Sequence, residues 1–304
     1  MSKFDYTVTE DDVKYELQIK ELLRSNFKLS SRLNKKIKRE NLILLNGKSV
    51  KTYLLPDAGD ILSISMPEEI SDFIPEAIPI EIVYEDDDLL VINKQPGIVV
   101  HPTKGHNSHT IANGVMKYML DSKQSFKIRF INRLDMDTSG ILVMAKNSHV
   151  QDDFTKQMAN NKVEKKYIAV VKGILAHDEG IIDLPIGRPA IERPERSVLL
   201  DNTGADSITH YKVIERYKTG HTLVELILKT GRTHQIRVHM SHIGHPVVGD
   251  HLYGGSNVLL IERQALHAHK LSFFKSITKE KIELEAPVPE DIAQLIRKLQ
   301  DSNK

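Results

Sequence analysis

The chain has 304 residues, 40% of them hydrophobic and 27% charged, with a formal net charge of +1, which is the profile of an ordinary soluble globular protein of about two domains. It contains no cysteine, which excludes disulfides, thiolate metal sites and cysteine nucleophiles and fits a reducing cytoplasm. No apolar run approaches the ~20 residues of a membrane-spanning helix, and the opening MSKFDYTVTEDDVKYELQ carries acids and no apolar core, so neither a membrane nor a signal peptide is expected.

Near neutrality hides an asymmetry. Between Lys28 and Lys51 stand eight bases (Lys28, Arg32, Lys35, Lys36, Lys38, Arg39, Lys48 and Lys51) against one acid, Glu40. A concentrated basic face of this kind binds phosphate by releasing counterions. Leu29, Leu33 and Ile37 recur every four residues, the apolar stripe of a helix, with Arg32, Lys35, Lys36 and Arg39 largely off that stripe. Ser30 or Ser31 is placed to cap it. Leu42 to Leu45 then runs into Asn46-Gly47, a strong hairpin signal. A turn at Ala58-Gly59-Asp60 leads into the alternating Ile61 to Ser65. Helices followed by a small sheet make a compact module, residues 1–66. Pro67, Pro75 and Pro79 read as an extended linker over residues 67–79, leaving residues 80–304 as the second domain.

That second domain alternates apolar runs with polar turns. Ile80 to Tyr84 and Leu89 to Ile92 flank an acidic turn and predict a hairpin; further strands are expected at residues 141–145, 167–171 and 223–228. Helical spacing falls at about residues 110–120, 150–158, 234–243 and 289–300. The mixture predicts an α+β or α/β fold. Polar segments interrupt these runs: Asn93-Lys94-Gln95-Pro96-Gly97 leading to His101-Pro102, residues 131–140, Lys165-Lys166-Tyr167, residues 229–239, and Gly249-Asp250-His251-Leu252-Tyr253-Gly254. Taken singly, each reads as readily as turn chemistry or surface charge.

The first module, with Ser31-Arg32, Ile37, Leu45-Asn46-Gly47 and Gly59-Asp60-Ile61 in order, resembles the alpha-L-type RNA-binding module. A lysine-rich helix standing alone would be read as a solvated face; with these turn residues in register, RNA contact through Arg32, Lys35, Lys36 and Arg39 is expected. Residues 132–140, Asn-Arg-Leu-Asp-Met-Asp-Thr-Ser-Gly, resemble the signature of the RluA-type pseudouridine synthases. The segments at 93–102, 230–239, 249–254 and 266–271 are similar to that family's other motifs, so the resemblance spans about residues 80–290. It implies a pseudouridine synthase fold, α+β, whose central sheet is mixed and mainly antiparallel and is flanked by helices. It also implies isomerisation of uridine in RNA without a cofactor and without a metal. Residue by residue, it makes Asp135 the reacting carboxylate and Arg232 its guanidinium partner. Tyr167 becomes the ring packed on the extruded uracil, Arg133 the side chain that takes the base's place in the stack, and Ile236 an apolar wall. Asp137 shapes the loop, while Lys94, His101 and Arg237 meet phosphate or support that loop. Two positions depart from the family pattern: Asn132 stands where His is usual and Met136 where a base is more common.

Large-subunit ribosomal RNA is the first expected target, with transfer RNA as runner-up and a monomer as the expected state. Two other classes compete. His234, His239, His242 and His245 suggest a metallohydrolase, although their spacing does not match His-Glu-x-x-His. A non-catalytic RNA-binding or ribosome-assembly factor would use the basic module alone.

Overall fold

A computed structural model describes residues 3–103, 105–189, 195–201, 203–254 and 260–302. The basic stretch forms helix Ser31–Arg39. Its cap is Ser30, whose hydroxyl accepts from the Leu33 amide at 3.3 Å. Leu33 and Ile37 pack with Ile19, Leu22 and Leu23 of helix Ile19–Asn26 in a core of their own. Asn46 and Gly47 take φ of 51° and 79°, the left-handed pair that a two-residue hairpin requires, and they join strands Ile43–Leu45 and Lys48–Ser49. The Asn46 side chain also accepts from the Ile61 amide at 2.9 Å and donates to Asp60 at 2.6 Å, fastening the turn to strand Ile61–Ser65. One strand was not anticipated: Lys3–Thr7 runs antiparallel to Ile61–Ser65 and completes a four-stranded sheet.

Residues 67–79 contain neither helix nor strand, as their prolines predict, but they are pinned along their length. Ile78 is buried in the second domain's core. Ser71 Oγ accepts from the Ile128 amide at 2.9 Å, and Asn113 donates to the Ile74 carbonyl at 2.8 Å. Glu69 pairs with Arg129 and lies 3.5 Å from Lys36 of the basic helix.

The second domain is built on a ten-stranded sheet. Its strands run in the order Glu179–Asp183, Ile208–Tyr217, His221–Leu228, Glu164–Lys172, Leu266–Phe274, Ser139–Ala145, Leu89–Lys94, Glu81–Glu85, with Lys281–Glu285 and Arg129–Phe130 paired at its sides. Every pairing is antiparallel except that of Leu266–Phe274 with Ser139–Ala145. The expected mixed, mainly antiparallel α+β sheet is therefore present. Strand side chains alternate between faces. Accordingly Leu90, Ile92, Leu142 and Met144 pack with helices Ile111–Asp121 and Glu290–Asp301. Leu89, Val91, Ile141 and Val143 meet helix Ser148–Ala159 on the other face. Covering both faces explains why these strands read as unbroken apolar runs.

The parallel pair sets the position of the loop that precedes it. Ser139 and Gly140 align with His267 and Ala268. Gly140 has φ +112°, and a Cβ there would stand 2.2 Å from the Ala268 carbonyl oxygen, so only glycine permits this approach. Among the described residues no helix is long and apolar enough to cross a membrane.

Candidate active site

The loop of residues 132–138 is held from several directions, and each restraint is a polar group that interrupts an apolar run in the sequence. Asn132 turns inward: its amide donates to the Ile141 carbonyl at 3.0 Å and accepts from the Val143 amide at 2.8 Å. The side chain thus continues the ladder begun by Arg129–Phe130, and this departure from the family pattern serves the strand edge. Met136, the other departure, engages the fold through its backbone: its carbonyl accepts from Lys94 Nζ at 2.8 Å while the side chain is exposed. Lys94 itself is fully buried and also donates to the Gln95 carbonyl at 2.8 Å. Burial pushes its pKa down to about 7, against the pull of Asp137 and Asp135. On the far side, Arg263 donates to the Asp137 carbonyl at 2.9 Å and grips Asp291 of the C-terminal helix at 2.6 and 2.8 Å.

Asp135, half-buried, faces helix Gln235–His242. Its Oδ2 accepts from Arg237 Nη1 at 2.9 Å. The same guanidinium makes a bidentate pair with the fully buried Asp250 at 2.7 and 2.9 Å. Burial opposes the charge on Arg237, but its bonds to Asp250, the charges of Asp250 and Asp135, and the bond to Asp135 outweigh this and hold its pKa above the ordinary arginine value. Asp250 in turn accepts from the Leu252 and Tyr253 amides at 3.0 and 3.2 Å. The Tyr253 ring lies 5.1 Å from the Arg237 guanidinium carbon, and its hydroxyl is 2.8 Å from His234 Nδ1. His234 Nε2 is 3.8 Å from Asp135 Oδ1. Burial lowers the pKa of this imidazole more than Asp135 raises it, so it is neutral at pH 7.

This arrangement corrects the expected pairing of Asp135 with Arg232. Residues 235–240 are buried on the helix that faces the loop, and Arg237 is among them. Arg232 precedes the helix, is exposed, and donates through Nε to the Asp206 carbonyl at 3.1 Å. Arg237, left between phosphate contact and loop support in the sequence, is therefore the carboxylate's partner. His234 was singled out only as a metal-ligand candidate, and Tyr253 and the anchoring role of Asp250 were missed, although the Gly-Asp-x-Leu-Tyr-Gly segment contains both of the latter.

Asp135, Arg133, Tyr167, Ile236 and Arg232 nevertheless all line one cleft of about 590 Å³. Arg133 is exposed, whereas Tyr167 and Ile236 are buried against its wall. Burial, and then the charge of Asp135, push the Tyr167 hydroxyl well above the ordinary tyrosine pKa, so it remains protonated. His101 is exposed, packing edge-on against Phe73 at 5.2 Å. Of the histidines proposed as metal ligands, His239 spends both ring nitrogens on Thr209 Oγ1 and the Leu184 carbonyl, each at 2.9 Å. His245 Nδ1 meets the Lys172 carbonyl at 2.9 Å. Among the described residues no three His, Asp or Glu side chains gather as a metal ion would require. Arg32, Lys35, Lys36 and Arg39 line a separate groove along their own helix.

Comparison with known proteins identifies the family. Residues 88–242 match the family model described as RNA pseudouridylate synthase. The chain is 42% identical to the uncharacterized RNA pseudouridine synthase YlyB of Bacillus subtilis (strain 168) over 265 residues, 86% of each protein. It is 37% identical to the ribosomal large subunit pseudouridine synthase D of Xylella fastidiosa over 287 residues, 90% of this chain and 85% of that one. Among solved structures, human RNA pseudouridylate synthase domain containing 1 superposes with a TM-score of 0.56 at 27% identity, over 74% of this chain and 96% of that one. With its fold and most of its length shared with these proteins, the chain belongs to the RNA pseudouridine synthase family.

Proposed function

We propose that this RNA pseudouridine synthase acts on large-subunit ribosomal RNA in the cytoplasm, with Asp135 as the reacting carboxylate and no cofactor. The observation that carries the reading is Asp135 on the wall of the cleft, oriented by Arg237, which is itself locked to Asp250. The printed names of several relatives, ribosomal large subunit pseudouridine synthase D, support the choice of RNA. The reaction breaks the bond from uracil N1 to the sugar C1′ and forms one from C5 to C1′. A proton leaves C5 and one is taken up at N1, so the product is an isomer and no redox partner is required. The base must first leave its stack, at a cost of a few kcal/mol. Arg133 fills the vacated space, Tyr167 packs on the extruded uracil, worth about 1–3 kcal/mol, and Ile236 backs the ring. Arg232, at the cleft's exposed edge, meets the RNA backbone. The basic helix, through Arg32, Lys35, Lys36 and Arg39, anchors structured RNA away from the reacting base.

The test is tritium release from RNA labelled at uracil C5, prepared from cells lacking the gene and fractionated into ribosomal and transfer RNA. Wild-type protein releases tritium from the large-subunit fraction. Asp135→Asn releases none, while its Kd for the same RNA stays within about twofold. Release by the Asn variant would remove Asp135 from the chemistry, and release from transfer RNA alone would overturn the target.

A further inference from the structure

Of the cations that line the cleft, Arg232 and Arg237 are committed to protein partners, and Arg133 and Lys229 stand exposed at its mouth. Arg237 serves two carboxylates and Arg232 a carbonyl. Lys165 differs: it lines the cleft, is half-buried, and among the described residues its ammonium has neither a hydrogen bond nor an ion pair. Burial alone lowers its pKa, with no carboxylate close enough to offset it. Lys165 precedes Tyr167 by two positions on strand Glu164–Lys172, so both side chains leave the same face. The ammonium reaches across to the Gly231 backbone, where a Cβ would stand 3.7 Å from Nζ. Holding a cation partly out of water without a counter-charge is unfavourable, and the cleft leaves the counter-charge to its ligand.

The chemistry of the base identifies that charge. Once the N1–C1′ bond breaks, its electron pair stays on uracil and spreads from N1 to the O2 and O4 oxygens. If Asp135 instead adds to the ring at C6, the C5=C6 π pair is displaced through C4 and loads O4. Negative charge on the carbonyl oxygens is therefore common to each role open to the carboxylate. With Tyr167 on the ring's face, a side chain from the same face of the strand meets the ring's edge, where those oxygens lie. We propose that Lys165 is a catalytic residue whose ammonium binds the carbonyl oxygens of the detached or adducted uracil, stabilising the anion until C5 bonds to C1′ and N1 regains a proton. The proposal rests on the placement of uracil against Tyr167.

Such a group acts on the reacting base far more than on the bound RNA. Lys165→Met should keep its Kd for substrate RNA within about twofold, while single-turnover tritium release at saturating RNA falls about 10²–10³-fold, as for loss of one oxyanion partner. Lys165→Arg, which keeps the charge, should recover at least about tenfold of that loss. The wild-type rate should decline at alkaline pH as the ammonium deprotonates, and that limb should disappear in the Arg variant. Thermal melting of each variant reports folding, and Lys165→Gln replaces Lys165→Met if the latter does not melt cooperatively. A weakened Kd with an unchanged saturated rate would make Lys165 a backbone contact and overturn the proposal, as would an Arg variant no faster than Met. Absence of Asp135-dependent release in wild type would instead overturn the functional reading.

Discussion

At position 94 an amine is shut away from water and spent on two backbone carbonyls, one of them in the Asp135 loop. Its pKa of about 7, against an ordinary 10.5, ties stability to pH with a definite sign. Between those values the unfolded chain holds a proton that the folded protein has released, so stability rises with pH across that window. Urea unfolding at pH 7, 8 and 9 should show wild type gaining on Lys94→Met by up to about 1.4 kcal/mol per pH unit. A constant difference would mean that the amine titrates normally. Single residues also show what a sequence can reveal. Asp135, Arg133 and Tyr167 could be singled out as candidates because each sits in a short contiguous motif. The Asp135–Arg237 contact joins residues 102 positions apart, and no local spacing distinguishes Arg237 from Arg232. Only the buried face of the helix does so.

Among elements, the parallel pairing of Ser139–Ala145 with Leu266–Phe274 is the tightest constraint on the cleft. Gly140→Ala would force a Cβ against the Ala268 carbonyl at a positive φ, combining a steric clash with backbone strain. The expected loss is at least about 3 kcal/mol, read by chemical denaturation; a loss under about 1 kcal/mol would mean that the two strands can separate without consequence. The hairpin at Asn46-Gly47, the helix capped by Ser30 and the doubly buried strands were legible, because turn chemistry and continuous apolar runs are local signals. Strand Lys3–Thr7 was not, since five residues with two buried or partly buried side chains carry little pattern until Ile61–Ser65 lies beside them. Nor did the prolines of residues 67–79 disclose that the segment is fastened through Ser71, Asn113 and Ile78.

Across the whole molecule, the near-zero net charge conceals a basic helix joined to the larger domain by more than the chain itself. Phe4 packs edge-on against His149 with ring centroids 5.4 Å apart, and Glu69 lies between Lys36 and Arg129. Replacing Arg32, Lys35 and Arg39 with Gln leaves that Lys36 contact in place. RNA affinity should fall, and the slope of log affinity against log salt should shrink by about 2–3, close to one per lost phosphate contact. An unchanged slope would show that this helix does not meet RNA. The Asp135 loop has a different dependence on the distant chain. Its carbonyl at Asp137 is held by Arg263, its Thr138 by Gln264, and Ser139 by His267. Lys94 and Asn132 are made before the carboxylate. The carboxylate nonetheless leaves the ribosome more than a hundred residues ahead of Arg237, Arg263, Gln264 and His267, which complete the loop's geometry. During synthesis the Asp135 loop is not fully held until strand Leu266–Phe274 and the final helix have folded against it. On the function proposed above, a partly made chain that already carries the complete basic module therefore grips RNA well before it alters a base.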